Sequence, residues 1–126
     1  MRIILAISLT IISIVTLAFF GYNFIDRSAQ NMQILLADLE RSVQNSNWAR
    51  AEKNSIILNN TWQQRQRYIL LMKDHGELHD LDITLTRIKT LIKMKNSETL
   101  LTEISVARKL VSNIRDQEKF SPGNIF

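Results

Sequence analysis

From Ile3 to Ile25 the chain carries no charged side chain. As a helix rising about 1.5 Å per residue, such a run extends roughly 35 Å, enough to cross a hydrocarbon layer about 30 Å thick. Ser8, Thr10, Ser13 and Thr16 lie within it, but a helix can return each hydroxyl to its own carbonyls. Phe19, Phe20, Tyr22 and Phe24 gather at the far end, where aromatic rings favour the headgroup level. Residues 1–25 are therefore expected to form an uncleaved transmembrane anchor. A cleaved secretory signal is the rival reading, with Met1-Arg2 as its basic start. Against it, the apolar run exceeds the usual length, no A-x-A-like site follows, and no cysteine is present to take a lipid.

Arg2 and the free amine flank one end of this run, while Asp26 and Arg27 cancel at the other. The positive-inside tendency then puts the amino terminus in the cytoplasm and the C-terminal domain outside the cell membrane, as a single-pass protein. The remainder suffices for one small core. With no cysteine there is neither a disulfide framework nor thiolate chemistry, and three glycines with one proline leave almost no turn material for a β fold. The net charge of +4 is spread over the chain. It suits anionic lipid or wall polymer, and is too diffuse for nucleic-acid binding.

Beyond the anchor the apolar residues recur by threes and fours. Met32, Leu35, Leu36, Leu39 and Val43 form one stripe, and nothing between Ile25 and Ser28 breaks a helix, so the anchor should continue outward to about Asn45. Asn47 is placed to cap a second helix, whose seam is Trp48, Ala51, Ser55, Leu58, Trp62, Arg65, Ile69 and Met72. Asp74-His75-Gly76 is expected to end it, with Gly76 in a left-handed cap. Leu78, Leu81, Leu85, Ile88 and Ile92 mark a third helix; Asn96 caps a fourth along Leu100, Ile104, Ala107, Val111 and Ile114.

Shifted by forty-nine positions, the chain falls on itself, Met32 on Leu81, Leu36 on Leu85, Asn47 on Asn96 and Trp62 on Val111. Either the halves repeat, or any two amphipathic hairpins would align this well. Both alternatives give an all-α fold: a transmembrane helix continuing into an antiparallel four-helix bundle of two helical hairpins. The anchor spans 1–25, the bundle 26–117 with helices at about 26–45, 48–73, 77–95 and 97–117, and a tail covers 118–126.

Candidate sites are few. His75 and His79, four apart with Glu77 between, could share a metal if both are helical, but the acidic residues there also complement a helix start. Arg87, Lys89, Lys93 and Lys95 give the third helix a basic end, a docking surface for an acidic partner or simply a solvated one favoured by the helix dipole. Trp48 and Trp62 could line a ligand slot but sit on the seam and read first as core. The terminal Ile125-Phe126 either packs on the bundle or plugs into a partner. Asn59-Asn60-Thr61 matches a glycosylation sequon inside a helix. No P-loop, dinucleotide fingerprint, G-x-S-x-G or H-E-x-x-H occurs, so no enzyme and no cofactor are expected.

The apolar leader, Asn47-Trp48 with Ala51, Trp62, Tyr68, Asp74-His75 with Glu77, Leu85 with Ile88, Ile104 and the closing Asn124-Ile125-Phe126 follow in that order. In this the chain resembles the uncharacterised domain-of-unknown-function family four-three-six-three, small anchored proteins of Gram-positive spore formers. Tyr68 stands where that family has tryptophan, and His79 is outside its pattern. The resemblance implies a location and an architecture but no reaction, and points to a small integral membrane protein as companion. The expected role is a membrane-anchored extracytoplasmic accessory or interaction protein of the cell envelope, whose partners are the lipid bilayer and an envelope or integral membrane protein. A ligand- or metal-sensing bundle is the alternative, and it requires a polar cavity near Ser55, Arg65 or the His75 turn.

Overall fold

A computed structural model describes residues 1–71 and 75–116. Among them are four α-helices packed together and no strand: α1 (Arg2–Gln44), α2 (Trp48–Leu70), α3 (His75–Met94) and α4 (Ser97–Asp116). α1 packs on α2 and α4, and α3 packs on the same two. Along α1 and α2 the contacts run in opposite senses, Phe24 meeting Tyr68 near one end and Ser42 meeting Asn54 near the other. α4 likewise passes α1 in reverse, with Arg115 at Asp26 and Arg108 at Glu40.

α1 is one unbroken helix of 43 residues, about 65 Å by helical rise. Its first part is long and apolar enough to cross a membrane, and none of that stretch is buried in the protein. Thr10, Ser13 and Thr16 donate to the carbonyls of Ala6, Leu9 and Ile12 at 2.7–2.9 Å, so these three hydroxyls are satisfied by the helix itself. Burial begins at Gly21 and Ile25 and continues through Ala29, Met32, Leu36, Leu39 and Val43. The other seams follow the same period: Ala51, Ser55, Leu58, Trp62 and Ile69 on α2, Leu78, Leu81, Leu85, Ile88 and Ile92 on α3, and Leu100, Ile104, Ala107, Val111 and Ile114 on α4. Trp62 is 1% exposed, whereas Trp48 is half-buried at the core edge. Met72 lies outside the described residues.

The α1–α2 and α3–α4 connections have the same construction. In the first, Ser46 N–H donates to Val43 and Asn47 N–H to Ser42; in the second, Lys95 N–H donates to Ile92 and Asn96 N–H to Leu91. Ser46 and Lys95 take the left-handed conformation, at φ 55° and 54°. This is the Schellman ending, one residue past each helix cap in the left-handed region with two reversed bonds. Each asparagine then caps the next helix: its side-chain Oδ1 accepts from Arg50 N–H or Thr99 N–H, at 3.2 and 3.3 Å. All these pairs are offset by the same forty-nine positions, as are the buried pairs Ala29/Leu78, Leu39/Ile88, Ala51/Leu100, Ser55/Ile104 and Leu58/Ala107. On that offset the first residue of α3, His75, corresponds to Asp26 of α1. The part of α1 before Asp26 is what the first half has in addition.

The expected role of Gly76 is corrected. It lies inside the first turn of α3, no described glycine has a positive φ, and α3 starts at His75 rather than two residues later. The left-handed positions fall to Ser46 and Lys95 instead, at the connections the asparagines organise. Glycine permits that conformation but does not require it. α2 ends at Leu70, earlier than the apolar run suggested; residues 72–74 lie outside the described region.

Candidate functional site

In the core, the void among Trp62, Met32, Ile25 and Val111 has about 10 Å³, at or below what a single water needs. Trp62 Nε1 is buried there without a hydrogen-bond partner among the described residues, so the indole acts as a core filler rather than as a wall of a ligand slot. A crevice of about 210 Å³ opens between α2 and α3 beside Ser55, with Glu52, Lys89 and Lys93 at its rim. That is below the range of ordinary small-molecule pockets, which starts at about 300 Å³.

The residues singled out for metal binding all lie on one helix. His75 and His79 both lie on α3 and are exposed, and Glu77 is partly buried. No group of three or more His, Cys, Asp or Glu among the described residues is placed to hold a metal. On the basic end of α3, Lys89, Lys93 and Lys95 are exposed. Arg87 sits 4.0 Å from Glu103 of α4, so that cation is shared with the bundle itself. Asn59, Asn60 and Thr61 lie within α2. Ile125 and Phe126 lie outside the described residues.

A cluster that periodicity alone did not single out stands where α1 enters the bundle. The spacing of Leu17, Phe20, Phe24, Arg27 and Asn31, alternately three and four, puts them on one face of α1. The end of α2 faces this stripe. Phe24 and Tyr68 meet edge to face, with centroids 5.6 Å apart, and the Arg65 guanidinium lies 5.3 Å from the Phe24 centroid. A cation over a ring is an attractive arrangement that also leaves guanidinium N–H groups free to donate. Two adjoining open grooves share Phe24, Arg65 and Tyr68. One continues along α1 past Leu17, Phe20, Asn23 and Arg27, the other along α2 past Arg67 and Leu70. No carboxylate lines either groove among the described residues; Asp26 is turned to α4, where it accepts from Arg115 Nε at 2.7 Å. Tyr68 and Leu71 are 58% and 82% exposed, although the neighbouring Ile69 is buried. The sequence signals were present, a three-four stripe on α1 and the Arg65/Tyr68 pair on α2. Their meeting depended on how the two helices are rotated.

The groups gathered here are guanidiniums, amides and a phenol above an apolar floor. No curated protein and no solved structure matches the chain. The model of one protein family, described as Domain of unknown function (DUF4363), matches residues 19–125, and the chain, having the helical seams and capping asparagines described above within those bounds, belongs to that family.

Proposed function

We propose that the protein is a single-pass membrane protein whose two helical hairpins form a non-enzymatic bundle on the extracytoplasmic side, where it acts as an accessory to another envelope component. The observation that carries this reading is the change of character along α1, fully exposed and apolar through Phe20 and buried on one face from Gly21 onward. Lipid covers the first part at little polar cost, because the hydroxyls of Thr10, Ser13 and Thr16 are already bonded to the helix backbone. The single cationic side chain before the apolar run, Arg2, supports the cytoplasmic amino terminus. The tight packing around Trp62, and His, Asp and Glu side chains that form no metal-holding group among the described residues, support interaction over reaction. Lys89, Lys93 and Lys95 give a partner with an acidic surface somewhere to dock.

Crosslinking in intact membranes, followed by identification of what is joined to the chain, tests the accessory role. A discrete membrane or envelope protein is the expected product, and recovery of monomer alone would count against the role. Protease added to intact cells should remove the bundle. Protection from outside, with cleavage in inverted vesicles, would reverse the topology.

A further inference from the structure

We propose that the groove between α1 and the end of α2 binds the headgroup of an anionic phospholipid, with Arg27 and Arg65 on the phosphate. The inference rests on the reading of α1 as a membrane anchor and adds a specific lipid contact to it. Along one face of α1 the chemistry changes in the order in which it changes along a phospholipid: Leu17 and Phe20, then Asn23 and Phe24, then Arg27 and Asn31. From residue 17 to residue 27 a helix rises about 15 Å, the depth over which a bilayer passes from upper acyl chain to headgroup. Phe20 is 66% exposed, so the apolar end is left uncovered by the described residues.

The polar end has matching charge. Arg27 is exposed, and Arg65, held over Phe24, brings a second guanidinium from α2 to the same groove. Guanidinium groups bind phosphate oxygens through paired N–H donors. The nearest carboxylate on α1, that of Asp26, is already engaged with Arg115, and none lines the groove among the described residues. Tyr68 and Leu71 at the exposed end of α2 provide a ring and an apolar side chain at the level of Phe24, as residues of an interfacial belt do. A free phosphate would satisfy the arginines but leave Leu17 and Phe20 uncovered, so the lipid is the occupant.

The full chain in detergent micelles, titrated with phosphatidylglycerol or with phosphatidylcholine and melted while helicity is followed, gives the test. Phosphatidylglycerol is expected to raise the midpoint by about 5 °C near saturation, and phosphatidylcholine or glycerol phosphate to leave it unchanged. In the double variant Arg27→Gln/Arg65→Gln the rise should vanish, while Arg27→Lys/Arg65→Lys retains part of it and Lys53→Gln/Lys109→Gln, at exposed positions outside both grooves, all of it. Equal shifts with both lipids, an undiminished shift in the double variant, or a shift that follows protein concentration rather than lipid would overturn the proposal, the last by assigning the groove to a second copy. A spin label at Ile11→Cys in liposomes separates this from the anchor reading: a label deep in the acyl region with no lipid selectivity removes the headgroup site alone, and a label in water removes both.

Discussion

The two ends of the bundle are built on different principles. At the tip, the α1–α2 and α3–α4 connections repeat one another bond for bond, from the left-handed Ser46 and Lys95 to the capping Asn47 and Asn96. At the base the halves diverge: α1 runs on as an apolar rod, α3 simply begins at His75, and α2 ends with Tyr68 and Leu71 exposed. The tip satisfies its own backbone within a few residues and needs nothing from outside. The base leaves rings, cations and aliphatic side chains that its own helices do not cover. Departure from the repeat thus coincides with the exposed rings and cations of the base, which the proposed function assigns to the membrane, while the shared tip marks what the fold needs for itself.

If the halves are equivalent in the core, the greatest losses should be matched ones. Leu36→Ala and Leu85→Ala remove fully buried, corresponding side chains, each at a cost of about 2–5 kcal/mol. Urea unfolding of the full chain in micelles, followed by helicity, measures both; a gap of several kcal/mol between them would break the equivalence. At the tip, Asn47→Ala and Asn96→Ala each forfeit a cap bond and should destabilise by about 1 kcal/mol. Ser46→Gly and Lys95→Gly go the other way. Both residues occupy positive φ, and glycine there should gain about 0.5–1 kcal/mol. Loss of stability at either site would show that the side chain contributes something the turn geometry does not reveal. The smallest effect belongs to the α1–α4 ion pairs: Glu40→Gln weakens a partly exposed contact of 2.6 Å with Arg108, worth about 0.5 kcal/mol and fading with added salt. All these tip and core effects should be alike in every lipid, whereas the Arg27 and Arg65 effects should follow headgroup charge.

The seams, the continuity of α1 past Ile25 and both asparagine caps were legible because each depends on residues within a few positions of one another. Gly76 misled because a glycine near a helix boundary reads as a left-handed cap, while the fold used it inside a helix. Arg65 read as one more residue of the α2 seam; in the structure it is half-buried and sets its guanidinium over Phe24. His75 was placed in the turn before the third helix, whereas it and His79 both lie on α3.

By itself, the sequence determined a long apolar leader, four amphipathic helices and two short asparagine turns, since period, capping and hydropathy act over one or two helical turns. Only the tertiary structure decided that α1 packs against α4 as well as α2, that the space beside Trp62 closes to about 10 Å³, and that Phe24, Arg65 and Tyr68 meet at the base. Those outcomes depend on how each helix is rotated about its axis. That rotation is fixed by the close packing of all four seams together, which no local stretch of sequence encodes.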